Sequence, residues 1–569
     1  MYLKKNKTRN GRIHLAIVDT YYDKSRGHSR TKTIQSIGYL DELEKQYDDP
    51  IQFFTERAEK LNAEKKELKA PVIMEFKYSD TLQPDITYTK NYGYSVLSKI
   101  YHELSIDKFL KNRQRHSKEA FCANAIMKML VFSRLLYPAS KKKSYEGRSR
   151  FFESDDYSLD DVYRCLSLLC KHKDNLQVWI NDKIKGSYGR DSSLVYYDVT
   201  NYYFEIDEQD DLRKKGVCKE HRPNPIIQMG LFIDNNGLPI TYQLFPGNTN
   251  DCLTYRPNLK RIKTQYGLGK VIVVADKGMT TGDNIWYTLS AGDGYVFSMS
   301  VRGADKDLKD YVLNEEGYEW LGEEYKRKSR RYPRTIQVTT TSGKKFKKTV
   351  NEKQVIFYSK KYAKRAKADR AAALAKAQDL IEHPGKYTRA TSYGAASYIK
   401  NIDFDKDTGE ILNTGKALSL DEKKLKDEEA LDGYYVIVTS EMEETDDRII
   451  DIYRGLWRIE ESFRVTKSDL EARPVFVSTN EHIEAHFLTC FVSLVLARIL
   501  ELKMDHKYSI TKMLESLRRA DCSYAQQNYY LFNYCDDILT DIGSKFNLDF
   551  TRRIRSLGEI KKLLSETKK

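Results

Sequence analysis

The chain of 569 residues carries 96 Lys and Arg against 82 Asp and Glu, which gives a formal net charge of +14 at pH 7. This length exceeds a single compact core, so several domains are expected, and a content of 40% hydrophobic residues excludes wholesale disorder. Eight cysteines without a CxxC pair are typical of reduced thiols rather than of a disulfide framework or a zinc site.

Residues 1–190 contain two regions whose patterns predict secondary structure but no catalytic residues. Residues 1–75 predict two strands, GRIHLAIVDTYY and TKTIQSIGYL around a basic turn, and then one helix. Residues 76–190 carry apolar side chains at three- and four-residue spacing, which predicts a helical region in which Ser158 caps one helix. The opening MYLKKNKTRNGR is basic and lacks the apolar run of a secretory signal.

The spacing of apolar residues changes at Ser192 from a helical to a strand pattern. Residues 191–302 predict the first part of an α/β core. LVYYDVTNYYFEI, PIIQMGLFID and LPITYQLFPGN predict three meander strands, and KVIVVAD and GYVFSMSV predict two strands that alternate with helices. This element order is that of a ribonuclease-H-like core. A basic, β-rich insertion at 303–430 interrupts it, LDGYYVIVTSE resumes it within 431–505, and residues 506–569 predict C-terminal helices.

The most hydrophobic segment of the chain is FLTCFVSLVLARIL, near residues 487–500. It is interrupted by Arg498 and is shorter than the about 20 apolar residues that cross a bilayer. The segment therefore predicts a buried helix and no membrane partner.

Positive charge is concentrated in residues 326–370, whose net charge is +15. Such a concentration predicts a polyanion partner, because neutralising phosphates releases condensed counterions. The alternative is a solvated basic loop. The cluster expected to contact DNA consists of Lys344, Lys345, Lys347 and Lys348.

Two aspartates lie on predicted core strands. Asp198 is in the middle of the first strand, where an acid is costly to bury unless it is paired. Asp276 ends the fourth strand, at the edge where open α/β sheets bind ligands.

A glutamate follows in YRGLWRIEESFRVTK, which we place on a long helix from about Thr445. Tyr453, Glu460 and Lys467 are seven residues apart, and seven residues turn an α-helix by about 700°, so the three share one stripe. The neighbours of Glu460 predict a core-facing side chain: Leu456, Trp457 and Phe463. Glu461 is expected at the surface, paired with Arg454 or Arg458. An ion pair between Glu460 and Arg464 is the structural alternative.

Together, Asp198, Asp276 and Glu460 would form an all-oxygen site for Mg²⁺ or Mn²⁺ rather than zinc. Two such ions about 4 Å apart would activate a water or a 3′-hydroxyl and stabilise the leaving oxygen of a phosphodiester. Tyr453 and Lys467 would hold phosphate oxygens on either side of the cut.

Four segments in this order, YYDVTNYYFE, HRPNPIIQMGLFIDNNGLPITYQLFPGNTND, VIVVADKGM and YRGLWRIEESFRVTK, resemble bacterial insertion-sequence transposases of the DDE class, with a tyrosine–arginine–glutamate–lysine signature. The resemblance covers residues 1 to about 505. It implies that Asp198, Asp276 and Glu460 are the metal-binding catalytic triad. Leu456 replaces the signature arginine, which leaves neighbouring arginines to contact DNA: Arg454, Arg458 and Arg464.

The resemblance also implies a reaction and its partners. The enzyme is expected to bind terminal inverted repeats in a homodimeric synaptic complex, hydrolyse a phosphodiester and join the freed 3′-hydroxyl to target DNA. Residues 1–75 and 76–190 are expected to bind DNA, the latter also to dimerise, in a cytoplasmic, nucleoid-associated bacterial protein. Trp457 and Tyr202–Tyr203 are either base-stacking platforms or core aromatics.

Two rival functions compete with this interpretation. DVTNY resembles the nucleophile motif of haloacid-dehalogenase-like phosphotransferases, but Tyr202 stands at a position that requires a small residue. A catalytically silent, transposase-derived DNA-binding regulator is the other alternative, which the three intact acids disfavour.

Overall fold

The computed structural model describes residues 1–569 except 9, 24–27, 68–73, 75–76, 80, 85, 116, 154–155, 217–221, 341, 389–390, 393, 405–409, 413–416 and 569. The chain forms two compact units, Met1–Pro84 and Asp85–Lys569. Helices and strands are mixed along the second unit, which confirms the predicted α/β class.

The first unit contains a three-stranded antiparallel sheet and two helices: β1 Tyr2–Lys7, β2 Ile13–Asp23, β3 His28–Tyr39, α1 Leu40–Leu43 and α2 Pro50–Glu67. Both predicted strands are present, as β2 and β3, and the sequence did not reveal the third strand, β1. Residues Tyr2–Lys7 pair with β2 through the backbone although their mostly polar side chains show no apolar alternation. Residues 24–27, half of the predicted basic turn, lie outside the described residues.

The helical region is confirmed, and it begins with one short strand: β4 Thr89–Asn91, α3 Tyr94–Glu103, α4 Ile106–Gln114, α5 Ala123–Leu136, α6 Lys141–Glu146, α7 Leu159–Lys171 and α8 Lys173–Tyr188. Ser158 caps α7 as predicted. Its hydroxyl accepts the Asp161 N–H at 3.1 Å, and the Asp161 carboxylate accepts the Ser158 N–H at 2.8 Å, which satisfies two N–H groups at the helix start.

The core elements follow in the predicted order: β5 Leu194–Tyr203, β6 Ile226–Asp234, β7 Pro239–Pro246, α9 Asp251–Gln265, β8 Ile272–Ala275, α10 Gly282–Ser290 and β9 Gly294–Met299. Strands β5, β6 and β7 form an antiparallel meander, whereas β8 pairs parallel to β5 and β9 pairs parallel to β8.

The basic segment contributes a long hairpin and several helices: α11 Lys306–Leu313, β10 Glu319–Leu321, β11 Tyr325–Thr339, β12 Lys345–Ser359, α12 Lys360–Glu382, β13 Ile399–Lys400, β14 Ser419–Leu420 and α13 Glu422–Glu429. Strand β15, Tyr434–Thr439, then pairs with both β12 and β9. The hairpin therefore extends the core sheet to nine strands, in the order β10-β11-β12-β15-β9-β8-β5-β6-β7.

The remaining elements are α14 Asp446–Arg454, α15 Trp457–Arg464, α16 Asn480–Lys503, α17 Ile510–Arg519, β16 Asp521–Tyr524, β17 Tyr529–Phe532, α18 Asp537–Phe546, β18 Ile554–Ser556 and α19 Leu557–Glu566. The expectation of helices alone after residue 505 is wrong. Strands β16–β18 form a four-stranded sheet with β4, a partner from about 430 residues earlier that local sequence patterns do not reveal.

The nine-stranded sheet is covered on both faces. Tyr196 and Tyr202 of β5 pack into one apolar cluster with helices α14, α15 and α16, whereas Val195, Tyr197 and Val199 pack into a second cluster with α9, α10 and α11. The alternation of β5 side chains therefore decides which layer each one faces.

Helix α16 lies in the first cluster. In the described part of the chain it is the helix that is long and apolar enough to cross a membrane, and 94% of its apolar window is buried inside the protein. The predicted burial is confirmed. The expectation that the segment is too short to span a bilayer is wrong, because the helix continues beyond the apolar run at both ends.

Candidate active site

Asp198, on β5, and Asp276, directly after β8, follow a pair of residues that face each other on parallel strands. Tyr197 of β5 is paired with Ala275, the last residue of β8, and each aspartate is the next residue in the chain. Asp198 shares its parity with Tyr196 and Tyr202, and Asp276 with Ile272 and Val274, so both lie on the sheet face that packs against α14 and α15. The two carboxylates are thereby placed on the same face of the sheet.

Both aspartates are half-buried and anchored by backbone amides. The Val199 N–H donates to Asp198 Oδ1 at 2.7 Å, and the Gly278 N–H donates to Asp276 Oδ1 at 2.7 Å. Asp276 also begins a short 3₁₀ turn, Lys277–Met279. It lines a cleft of about 690 Å³ that also contains Tyr453.

The predicted long helix is broken at Gly455. A Cβ at this position would lie 2.1 Å from the Tyr196 hydroxyl oxygen, so only glycine permits this approach to β5. Helix α14 ends at Arg454 and α15 begins at Trp457. The expected single long helix is therefore wrong: Tyr453, Glu460 and Lys467 lie on three successive elements, although Tyr453 and Glu460 remain within electrostatic range of each other.

Glu460 lies in the first turn of α15 and is exposed. The prediction of a core-facing side chain is wrong, because the helix break turns α15 so that Leu456, Ile459 and Phe463 occupy the buried stripe. Glu461 is the half-buried acid of the pair. Its carboxylate accepts two bonds of 2.8 Å from Arg464, which holds the pKa of Glu461 below its usual range.

The ion pairs observed on α14 and α15 differ from those expected for Glu460 and Glu461. Arg464 pairs with Glu461 and lies 3.1 Å from Asp469, so the alternative pair with Glu460 is not formed. The expectation that Glu461 pairs with Arg454 or Arg458 is also wrong. Arg454 is exposed and 3.5 Å from Asp451. Arg458 Nη1 lies 3.4 Å from the Tyr196 hydroxyl, and its guanidinium lies 5.6 Å from the Trp457 ring.

Tyr453 is within electrostatic range of both Asp276 and Glu460. Burial raises the pKa of Tyr453 to about 12, a hydrogen bond with Ser298 opposes the rise, and the charges of Asp276 and Glu460 add to it. The two acids thus act on the same phenol. Across the described ranges, no group of three or more His, Cys, Asp or Glu side chains is close enough to hold a metal ion.

Lys467 lies in a π-helical turn, Val465–Asp469, which continues from α15. Its ammonium group is 5.6 Å from the ring centroid of Tyr202. Such single π turns are frequent at functional sites. Of the aromatic residues that could stack on bases, Trp457 is 57% exposed, whereas Tyr202 and Tyr203 are buried in the core.

The four predicted DNA-binding lysines, Lys344, Lys345, Lys347 and Lys348, are exposed at the end of the β11–β12 hairpin. Within the described residues none of them forms an ion pair, and the Lys348 ammonium lies 4.9 Å from the Trp286 ring centroid. Five of the six cations of β11, in contrast, form ion pairs: Lys326–Glu315, Arg327–Asp447, Arg330–Asp307, Arg331–Glu443 and Arg334–Glu352.

The end of the hairpin lies against α10, the helix that follows Asp276. The Thr339 N–H donates to Asp283 Oδ1 at 2.6 Å. A Cβ on Gly282 would lie 2.2 Å from the Gln337 carbonyl oxygen, so glycine permits close contact between α10 and β11. The end of the hairpin is thereby held against the start of α10, on the sheet face opposite α14 and α15.

Sequence reasoning missed a polar pocket on the sheet face opposite the two aspartate side chains. The pocket has a volume of about 450 Å³ and begins at Val199 and Gly278. Its polar side chains are Thr200, Asn201, Gln228, Asn248, Thr249, Asn250 and Asp251. A glutamine inside the otherwise apolar PIIQMGLFID was the available signal.

Two parts of the chain match known protein families. Residues 213–496 match the transposase DDE domain, a range that includes Asp276 and Glu460 and begins after Asp198. Residues 3–72 match the N-terminal domain of IS1634 family transposases. No curated protein sequence matches the chain significantly.

Two solved structures are similar over parts of the chain. The first is a piggyBac transposase synaptic complex with hairpin DNA, with 9% identity and a TM-score of 0.29, covering 89% of this chain and 80% of that one. The second is a Mos1 transposase paired-end complex with the left transposon end, with 12% identity and a TM-score of 0.13, covering 43% and 66%. On the two domain matches, the chain is an insertion-sequence transposase with a metal-dependent DDE catalytic domain.

Proposed function

We propose that this transposase binds the terminal inverted repeats of its insertion sequence, cuts a phosphodiester bond at each end and joins the freed 3′-hydroxyl to target DNA. The observation that carries the proposal is the adjacency of Asp198 and Asp276 on paired parallel strands, beneath the helices that carry Tyr453 and Glu460. The three acids are the catalytic residues of this proposal.

The strand order supports a ribonuclease-H-like core. The segment β7-β6-β5-β8-β9 places an antiparallel meander beside two parallel strands, which is the order expected from the sequence. Residues 191–302 and 431–505 would form this core, and 303–430 the insertion. Residues 1–75, 76–190 and 506–569 would be the flanking domains, with the first two on DNA.

The donor chemistry of the acids suits a hard divalent cation, although in this structure the three do not lie close enough together to hold one. All three donors are carboxylates, and of the Asp276 oxygens only Oδ1 accepts a hydrogen bond from a described residue. Metal binding would therefore draw the exposed Glu460 toward the two aspartates. Asp198, Asp276 and Glu460 would hold two Mg²⁺ or Mn²⁺ ions. Such ions, when bound, supply Lewis-acid activation of the attacking oxygen and charge stabilisation of the leaving oxygen.

The protein's own groups would position the DNA. The Tyr453 hydroxyl, kept protonated by its raised pKa, can donate to a phosphate oxygen near Asp276 and Glu460. Lys467 can hold a phosphate on the far side of the cut. Arg454 and Arg458 flank Leu456 and would replace the signature arginine, whereas Arg464 is already engaged by Glu461 and Asp469.

Two copies of the chain would bring the two transposon ends together. We infer a homodimer in the synaptic complex, each copy holding one transposon end, on the bacterial nucleoid. The hairpin lysines Lys344, Lys345, Lys347 and Lys348 would contact the phosphates of the end, because they are exposed and free of ion pairs with described residues.

Plasmid cleavage tests the proposal directly. Wild-type protein with Mg²⁺ should nick and join a plasmid that carries the element's ends, and chelation of the metal should stop both steps. Asp198→Ala should bind the same DNA without cutting it, while Asp182→Ala, an exposed aspartate on α8, should cut normally. If wild-type protein binds the ends but does not cut them whichever divalent metal is added, the enzyme assignment fails. The catalytically silent regulator then becomes the better interpretation.

A further inference from the structure

Arg498 is a buried cation inside the apolar run of α16. It lies between Ala497 and Ile499, and its side chain is only 6% exposed. Burying a charge among apolar side chains is costly unless its partners compensate for the lost water. The contacts of this guanidinium group therefore indicate what the arginine does in the helix.

The guanidinium group divides its contacts between two helices. Nη1 donates to Glu501 Oε2 at 2.7 Å, one turn further along α16. Nη2 donates to the Arg458 carbonyl oxygen at 3.2 Å and to Ser462 Oγ at 2.9 Å, both on α15. The Ser462 hydroxyl donates to the same carbonyl oxygen at 2.8 Å. The ion pair that neutralises Arg498 and the contacts with α15 thus use different nitrogen atoms.

The contacts on α15 lie opposite Glu460. Arg458 and Ser462 are two residues before and two residues after Glu460, and two residues turn an α-helix by about 200°. Ser462 is fully buried, whereas Glu460 is exposed. Arg498 therefore holds the back of α15 at two points one turn apart. Such contacts oppose rotation of the helix about its axis, which is the motion that would change the direction of Glu460.

We propose that Arg498 is a positioning residue for the catalytic glutamate: its Nη2 fixes the rotation of α15 and thereby the direction in which Glu460 reaches toward Asp198 and Asp276. The inference rests on the proposed function, because it takes Glu460 to be a metal ligand. With α15 held, only the side chain of Glu460 has to move when a metal binds. Residues that orient metal ligands typically contribute about 10- to 100-fold to metal affinity.

Metal binding tests the inference without relying on activity. The EPR signal of free Mn²⁺ measures the Kd of the metal for protein bound to a precleaved transposon end. Arg498→Lys keeps the positive charge, but an ammonium group cannot reproduce the two-nitrogen geometry that reaches Glu501 and α15 together. Its Kd for Mn²⁺ should rise about tenfold. Glu501→Gln is the matched control, because it removes the ion pair and leaves the contacts with α15, and it should bind Mn²⁺ as wild-type protein does.

A double variant separates positioning from a general loosening of the core. With Glu460→Gln already present, Arg498→Lys should cause no further rise in Kd, because the arginine acts through the glutamate. In cleavage assays, Arg498→Lys alone should need about tenfold more Mg²⁺ for half-maximal rate and should recover at saturating Mg²⁺. A lower rate at every Mg²⁺ concentration, with an unchanged Kd, would overturn the inference.

The outcomes distinguish this inference from the proposed function. A wild-type Kd in Arg498→Lys would overturn the positioning role and leave the proposed function standing. If wild-type protein binds Mn²⁺ no more tightly than Asp198→Ala, the metal site itself fails and both are overturned. If Arg498→Lys does not fold, Ser462→Ala removes one of the two acceptors and should raise the Kd by at least about threefold. An unshifted Kd in that variant would overturn the inference as well.

Discussion

The hydroxyl groups of Tyr202 on β5 and Thr466 in the π-helical turn share a hydrogen bond of 2.8 Å. Thr466 Oγ1 donates to the Phe463 carbonyl at 2.9 Å, so it accepts from Tyr202. Both residues are buried. The bond joins the strand that carries Asp198 to the turn that carries Lys467, which fixes the distance between a proposed metal ligand and a proposed phosphate contact.

Tyr202→Phe should slow cleavage by about tenfold without weakening DNA binding, because loss of this bond displaces Lys467 relative to Asp198. Tyr101→Phe is the control, since the Tyr101 hydroxyl donates to Asn124 at 2.9 Å in the same core but in the helical region. Both variants should lose about 1 kcal/mol of stability. Equal cleavage rates in the two variants would contradict a positioning role.

Glu460 and Glu461 offer a paired test of the catalytic glutamate. Glu460→Gln should lower the cleavage rate by at least about a hundredfold, because it removes one anionic ligand of the proposed metal site. Glu461→Gln should retain the rate and lose under about 1 kcal/mol of stability, since its ion pair with Arg464 is partly exposed. Cleavage rates and urea unfolding measure the two effects. A reversed pattern would make Glu461 the catalytic acid.

The hairpin lysines should set the salt dependence of DNA binding. Replacing Lys344, Lys345, Lys347 and Lys348 with glutamine should weaken binding of the element's ends and reduce the log–log salt slope by about 0.9 for each phosphate that is no longer neutralised. Lys561→Gln with Lys562→Gln, exposed on α19, is the control and should leave the slope unchanged. Filter binding at several salt concentrations measures it. An unaltered slope in the hairpin variant would place the DNA elsewhere.

Lys141 should make stability depend on pH. Its ammonium group is buried 3.1 Å from His486 Nδ1, in a cluster with Arg134 and Cys490, and burial lowers the pKa of Lys141 to about 7. An unfolded lysine titrates near about pH 10.4, so between these values the unfolded chain binds the proton that the folded chain has released. Stability should therefore rise with pH across this window.

Urea titrations of wild-type protein and Lys141→Met at about pH 7.5 and 9.5 measure this effect. Relative to the variant, wild-type protein should gain up to about 3 kcal/mol over this interval. Burial keeps His486 neutral and Cys490 protonated in the folded state of both proteins, so their effects cancel in the comparison. A constant difference between the two proteins would show that Lys141 does not titrate in this range.

The features that could be predicted from the sequence are those that depend on a local pattern of residues. The strand types around Asp198 and Asp276 placed both acids on core strands, and the parallel pairing of β5 with β8 makes them neighbours. Mixed helices and strands in the predicted order follow from periodicity alone. The match to a DDE domain confirms the expected class of enzyme.

The errors concern contacts between distant parts of the chain. Gly455 meets Tyr196 of β5, and this contact breaks the helix and turns Glu460 outward. The charge of the basic segment is partly cancelled by acids outside it, such as Glu315, Asp307 and Glu443. Nothing in a linear pattern indicates these partners, because each depends on how the sheet brings its strands together.

The pairing of β12 with β15, and of β15 with β9, has a mechanical consequence. A flexible tether would let the long hairpin move independently, but the backbone pairing of Lys353–Tyr358 with β15 fixes the base of the hairpin to the core sheet. A displacement of that base would be transmitted through β15 and β9 to β8, the strand that ends beside Asp276.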